Sequence, residues 1–475
     1  MTFETKLFSM DAKELEKLRS EARDLAVEMI RLLAERRNVV KRIAEIKKSL
    51  GAPAYQPSVE ANVRKAMVEE ALKLGVPVEI VQRLATILFS DAVEMQSKPR
   101  TTLTHFDIMR RAVELQRAGY EVQRLEVGEP DLGAPTEVRQ SVAEAVLEGY
   151  ARYVESKGIY ELRSAIAKHV HEKYGVSINP DNVVITPGGR FAIYLAVKTL
   201  VREGDEIIVI DPSWPMYRQV SSFVGARSVH VKTSLENGWT PQIEDIENAI
   251  TPATKAIILN YPNNPTGKIL DRKTFTKIVQ LAENRNLTVI SDEVYADYVR
   301  DTHISVFDGV DKVQHVLIQS FSKSYGMTGY RLGFVVASEE MASKMSSIMA
   351  LLITCVPEFI QRGGLAALTL KQTPKHYAEI MMRRMDTAVK ELEKLGFEFY
   401  RPDGGMYVFP KICIENVDGM EMAFELLESK GVAVAPGSIF GGYDEFVRIS
   451  LGAPEQSIAK GIRLLGEFLT EKGRK

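Results

Sequence analysis

The chain has 475 residues, 45% hydrophobic and 26% charged, with a formal net charge of −2. This length calls for two or three cores, and the near-neutral charge excludes bulk attraction to nucleic acid or an anionic membrane. The two cysteines, Cys355 and Cys413, form no CxxC pair, which suits a reducing compartment and excludes a cysteine metal cage. No stretch reads as a secretory signal, and no apolar run approaches the ~20 residues of a membrane helix. A cytoplasmic protein is expected, and no metal site, because the histidines are scattered.

From about Asp11 to Leu50 there is no Gly and no Pro. Leu18, Ala22, Leu25, Met29, Leu32, Arg36, Val39, Ile43, Ile46 and Leu50 alternate spacings of four and three, which predicts one long helix with an a/d seam. An adjoining line at sevens holds Arg19, Ala26, Leu33, Val40 and Lys47. The stripe is therefore apolar except for Arg19, Arg36 and Lys47. Further helices are predicted from Val59 to Leu74 and from Val78 to Gln96, with Gly75-Val76-Pro77 between them. Residues 1–98 read as a small helical domain, closed by the linker Ser97-Lys98-Pro99.

Cations on a seam are costly unless they are paired, snorkel outward or meet an anion. Arg36 and Lys47 lie roughly 16 Å apart along a helix, within joint reach of one ligand. Arg19 lies roughly 25 Å from Arg36. If all three serve one pocket, Arg19 comes from a second chain and the bundle is an intertwined dimer.

This segment resembles the all-helical class of chorismate mutases. The resemblance implies that Arg19, Arg36, Lys47, Glu60 and Gln96 are catalytic, rearranging chorismate to prephenate. Cations would clamp two carboxylates, with Lys47 and Gln96 at the ether oxygen. Three positions depart from the family: Val59 replaces an arginine, Gln56 an acid and Ala92 a small hydroxyl residue. A non-catalytic module for dimerisation or ligand sensing therefore stands as the alternative.

Beyond residue 99 short apolar runs alternate with helical patterns, which predicts a mainly parallel sheet covered on both faces. Such sheets bind ligands beyond their strand C-termini. Leu125-Glu126-Val127 reads as a strand end before Gly128-Glu129-Pro130-Asp131. The strand Asn182–Thr186 meets Pro187-Gly188-Gly189-Arg190 and a helix from Phe191 to Val201, whose free amides suit phosphate. Glu206–Ile210 is followed by Trp214, and Ala256–Leu259 by Asn264 in a Pro-Asn-Asn-Pro-Thr-Gly turn. Leu287–Ile290 leads to Asp292 and Tyr295. Val316–Ile318 leads to Ser320, Ser322, Lys323 and then Arg331. Two strand ends thus present an acid and an amine, the pair that a pyridine-based aldehyde cofactor needs. The pattern from Phe397 to Glu471 reads as a smaller α+β domain, with Arg448 on a strand.

These blocks resemble the fold-type I pyridoxal-phosphate aminotransferases of the aspartate/aromatic class, over roughly residues 100 to 475. The resemblance implies an α/β PLP-dependent transferase fold over residues 99–475, with pyridoxal 5′-phosphate as cofactor. It implies that Lys323 carries the cofactor and moves the proton, and that Asp292 pairs with the ring nitrogen. Tyr295 and Asn264 would bond the ring hydroxyl, with Trp214 stacked on the ring. Ser320, Ser322, Arg331, Gly189 and Arg190 would hold the phosphate, together with Tyr153 from a neighbouring subunit. Gly128 and Arg448 would receive the substrate carboxylate, beside Trp214 and Asn264.

The two resemblances together imply a bifunctional homodimer of aromatic amino-acid biosynthesis. Its substrates would be chorismate, amino acids and 2-oxo acids: prephenate, phenylpyruvate or 4-hydroxyphenylpyruvate. The alternative is a single-activity aspartate/aromatic aminotransferase with a helical regulatory or dimerising module. A PLP-fold transcription regulator is disfavoured, because no basic DNA-reading segment is present. Prephenate carries a second carboxylate, for which Arg152, Lys157 and Arg190 are the candidate partners.

Overall fold

With no glycine or proline to stop it, the first helix, α1, runs unbroken from Phe3 to Leu50. It therefore starts earlier than the seam predicts. The structure is a computed structural model that describes residues 3–50, 57–96, 105–300, 302–308, 314–412 and 418–473. Gln56, Cys413 and the linker at 97–99 lie outside the described residues. The chain divides into two units, Met1–Arg100 and Thr101–Lys475.

In the first unit α2 (Pro57–Leu74) and α3 (Val78–Gln96) form a hairpin that packs on α1 through α3. The predicted stripe is mostly uncovered in the single chain. Leu18, Leu25, Met29, Leu32, Val39, Ile43 and Ile46 are exposed, Leu25 to 69%, whereas Val40 is buried. The cause is length. A 48-residue helix spans roughly 72 Å, and a hairpin of 18- and 19-residue helices covers less than roughly 30 Å of it.

The second unit is built on a seven-stranded sheet of β2 (Val183–Thr186), β3 (Glu206–Asp211), β4 (Arg227–Lys232), β5 (Thr254–Asn260), β6 (Thr288–Asp292), β7 (His315–Ser320) and β8 (Gly333–Val336). These follow β1 (Gln123–Arg124) in the chain. The spatial order is β2-β8-β7-β6-β5-β3-β4, and only β8 runs antiparallel to its neighbours. The strands β2 and β3 are buried at every position, as apolar runs covered on both faces must be. The helices include α4 (His105–Arg117), α5 (Thr136–Leu147), α6 (Tyr160–Tyr174), α7 (Gly189–Leu200) and α8 (Met216–Phe223).

The smaller α+β part holds β9 (Tyr407–Val408), β10 (Val432–Ala433), β11 (Ala435–Pro436) and β12 (Val447–Ser450). β11, β12 and β9 form an antiparallel sheet, while β1 pairs in parallel with β10. The strand expected at Leu125–Val127 lies instead at Gln123–Arg124, the residues that pair with Val432 and Ala433. Leu125 instead packs in this part's own core with Met385, Leu392 and Leu465. No helix of the described residues is long and apolar enough to cross a membrane.

Candidate active site

Asn260, Asp292 and Ser320 end β5, β6 and β7 at the same edge of the sheet. A cavity of about 540 Å³ opens there, lined among others by Gly128, Gly189, Arg190, Trp214, Asn264, Asp292, Tyr295, Ser320, Ser322, Lys323, Arg331 and Arg448. The cavity thus gathers every residue of the second unit expected to hold the cofactor or the α-carboxylate except Tyr153, which is 86% exposed and was expected to act across subunits. Lys157 turns to Asp181, 3.4 Å away, and Arg152 is exposed outside the cavity. Of the three candidate partners for a second carboxylate, Arg190 alone lines the cavity.

After Ser320 the chain makes one helical turn, Phe321–Ser324, capped by the Ser320 hydroxyl accepting from the Ser322 amide at 3.2 Å. This turn carries Lys323 into the cavity wall, where its amine donates to the Gly128 carbonyl. The lysine's own carbonyl accepts from the Tyr298 hydroxyl at 2.6 Å. Ser324 donates to Asp297, and Lys173 contacts the other oxygen of that carboxylate, each at 2.5 Å. The backbone on which the amine pivots is therefore fixed. Burial lowers the amine to about 8, and Arg448 and Arg331 reinforce the shift against the opposing charge of Glu129. A lysine so placed is a competent nucleophile near neutral pH.

Asp292 is 2% exposed. Its Oδ2 accepts from the Tyr217 hydroxyl at 2.7 Å and its Oδ1 from the Val294 amide at 3.3 Å. Burial raises the carboxyl to about 6 and the adjacent Glu293 adds to this, while the two hydrogen bonds oppose it. It remains an anion at pH 7, able to face a protonated ring nitrogen. The Tyr295 and Tyr407 hydroxyls meet at 2.7 Å.

Gly188 caps α7 at φ +82°, and a Cβ there would stand 2.5 Å from Arg331 Nη2. A Cβ on Gly333 would stand 2.9 Å from backbone atoms of Gln319 and Gly188. The two glycines let the start of α7, with its free amides, close on the Ser320 and Ser322 hydroxyls and on Arg331. This is a built anion cradle. Trp214 lies on the cavity wall with the Arg190 guanidinium 5.1 Å over its ring. Arg448 donates to Asn264 Oδ1 at 2.9 Å and to the Glu126 carbonyl at 2.5 Å, between the rings of Tyr407 and Phe440. Its Nε is buried with no hydrogen-bond partner among the described residues, one donor left for a ligand. An amine, an acid, an aromatic face and an anion cradle on one cavity fit a phosphorylated pyridine aldehyde.

Sequence reading missed Tyr217, Tyr407 and Phe440. Tyr217 stands three residues beyond Trp214, in the first turn of α8, and that spacing was its only signal. The spatial order of the strands, which sets β3, β5 and β6 side by side and so brings it beside Asp292, is not written locally.

In the helical unit Arg36 is half-buried, and its Nη1 is buried without a hydrogen-bond partner among the described residues. The neighbouring Arg37 reaches α3 at Asp91, 3.5 Å away. Arg19 lies on the exposed face beside Glu16 at 2.9 Å. Because α1 is continuous through both, Arg19 and Arg36 cannot converge within one chain. Lys47 and Glu60 are half-buried, and the Gln96 side chain lies outside the described residues. Arg64, also missed, is buried against Phe89 and donates to Gln82 Oε1 at 2.8 Å.

The chain matches the family described as aminotransferase class I and II over residues 120–465 and chorismate mutase type II over residues 18–97. An aspartate aminotransferase of Sulfolobus acidocaldarius is 34% identical over 382 residues, 78% of this chain and 95% of that protein. An aspartate/prephenate aminotransferase of Thermus thermophilus is 32% identical over 78% of this chain and 96% of that protein. The crystal structure of aspartate aminotransferase from Thermotoga maritima aligns with a TM-score of 0.74 at 33% identity, over 78% of this chain and 97% of that one. The chain belongs to the class I and II aminotransferases, and its residues 18–97 match the chorismate mutase type II family, which together support transaminase and mutase activities on one polypeptide.

Proposed function

We propose that this protein is a cytoplasmic homodimer that converts chorismate to prephenate in its helical unit and transaminates an aromatic keto acid, prephenate included, in its second. Pyridoxal 5′-phosphate would be held by Lys323, by Asp292 at the ring nitrogen, and by Tyr295 and Asn264 at the ring hydroxyl. Ser320, Ser322, Arg331 and the Gly189 and Arg190 amides would take its phosphate, with Tyr153 of a second copy. The cofactor supplies the electron sink that lets an amino-acid α-proton leave. The chain's own residues do the rest. Arg448 and the Gly128 backbone take the α-carboxylate, Trp214 walls the ring, and the Lys323 amine, held near 8, accepts and returns the proton at Nζ.

Arg190 carries the choice of keto acid. It lines the cavity beside Trp214 and has no carboxylate partner among the described residues. Prephenate has a second carboxylate that needs a cation, and arylpyruvates do not. In the helical unit the orphaned Arg36 Nη1 supports an anion pocket, which Lys47, Glu60 and Gln96 would complete with Arg19 of a second chain. Val59 and the buried Ala92 favour the second reading, a helical module that dimerises without turnover.

Competition between prephenate and phenylpyruvate, with glutamate as donor and the products identified, tests the substrate. Arogenate is the expected product. Turnover of the arylpyruvates alone would make this a general aromatic aminotransferase, and turnover of oxaloacetate alone would sink the reading. Chorismate consumption by the intact chain separates a catalytic helical unit from a structural one.

A further inference from the structure

Three carboxylates line the cavity: Glu126, Glu129 and Asp292. Two of them are buried. Asp292 is bonded to Tyr217 at 2.7 Å. Glu126 is buried, with Arg124 2.5 Å from it. Glu129 is different, because it is exposed at the cavity wall and among the described residues its Oε1 accepts only from a neutral donor, the Thr328 hydroxyl at 2.5 Å. That bond ties the turn after Gly128 to the loop that follows Lys323. Gly128 itself accepts from the Lys323 amine, and the charge of the next residue, Glu129, acts on that same amine.

The charge balance of the cavity makes the carboxylate consequential. Arg190, Lys323, Arg331 and Arg448 all line it. They suit the anionic groups of a cofactor and a keto acid. An amino donor, however, arrives with an ammonium group as well, and this set of cations repels it. Glu129 is the acid whose charge favours the protonated form of Lys323, against Arg448 and Arg331.

We propose that Glu129 is a specificity-determining residue of the transaminase, the counter-charge that receives the ammonium group of the amino donor at the place where it balances that of Lys323. The keto acid has no ammonium, so Glu129 favours the donor half of the reaction over the acceptor half. Thr328 holds the carboxylate in position by bonding its anionic form. The inference rests on the reading of Lys323 as the cofactor-bearing amine.

The test uses the full chain with Glu129→Gln, which keeps size and the bond to Thr328, and Glu129→Asp, which keeps charge. The first readout needs no turnover. Apoprotein is mixed with pyridoxal phosphate across pH 6 to 10 and the adduct is fixed with borohydride. The midpoint for Lys323 should move to lower pH in Glu129→Gln and return towards wild type in Glu129→Asp. In single-turnover half-reactions KM for glutamate should rise by about five- to tenfold in Glu129→Gln, with KM for 2-oxoglutarate unchanged or lower. An unmoved midpoint, an equal rise in both KM values, or a Glu129→Asp variant that behaves as Glu129→Gln would overturn the proposal. Adduct that persists in a Lys323→Ala control would overturn the reading of the site and this inference with it.

Discussion

Tyr217 donates its hydroxyl proton to Oδ2 of Asp292 across 2.7 Å, and both side chains are closed off from water. A hydrogen bond to a buried anion holds that anion ionised, here against the burial that raises Asp292 to about 6. Tyr217→Phe removes the donor and little volume. The Asp292 carboxyl should rise further, leaving less carboxylate at pH 7. Loss of a charge-assisted bond costs about 1.5–3 kcal/mol, so cofactor affinity should fall about tenfold or more at pH 7. At pH 8.5 the carboxyl is ionised in both proteins and the gap should narrow. Titration of apoprotein with cofactor at the two pH values reads this, and a gap independent of pH would reduce Tyr217 to packing.

The same carboxylate works against the fold when no ligand is present. A carboxyl at 3.8 in the unfolded chain and about 6 when buried penalises the folded state where it must be charged. The penalty is absent below about pH 4 and complete above about pH 6, where it amounts to about 3 kcal/mol. Asp292→Asn should therefore melt higher than wild type as apoprotein at pH 7.5, with the advantage vanishing towards pH 4. With cofactor added the order should reverse. Calorimetry of both forms at both pH values decides.

Lys323→Ala should abolish transamination and borohydride-fixed cofactor while chorismate turnover continues, since the lysine belongs to the second unit. Loss of both activities together would show that the two units depend on each other's integrity.

Arg36→Ala should do the reverse. One contact to a carboxylate of the substrate is worth about 1.5–3 kcal/mol, so kcat/KM for chorismate should fall tenfold or more, with transamination intact. Arg19→Ala should be equally inactive. Mixed Arg19→Ala and Arg36→Ala chains should regain one intact pocket per hybrid dimer. Hybrids confirmed by mass and still inactive would refute a pocket shared between chains.

Much of the second unit was legible because a buried parallel strand is an apolar run followed by a turn, and the chemistry sits in the turn. Lys323, Asp292, Trp214 and Asn264 were each readable that way, since each depends on its own few residues. Tyr217 was not, because its role depends on β3, β5 and β6 lying side by side. Tyr407 was hidden for the same reason: it reaches Tyr295 from the smaller α+β part. Arg64 sits on a helix that looks ordinary until α3 folds back over it. The α1 seam was read correctly as apolar. One chain has too little helix to cover it, and the sequence reading looked to a second chain for that.

If a second copy covers that exposed seam, protein concentration becomes a variable of the mutase. Leu18, Leu25, Met29 and Leu32 face water in the single chain, and water is a poor neighbour for so much hydrocarbon. If a second copy covers them and lends Arg19, every mutase pocket is lost when the bundle comes apart, whereas Lys323 and Asp292 stay together on one sheet. Dilution should then lower chorismate turnover per chain before it lowers transamination. Titrating the enzyme into the nanomolar range would separate the two activities with no mutation at all.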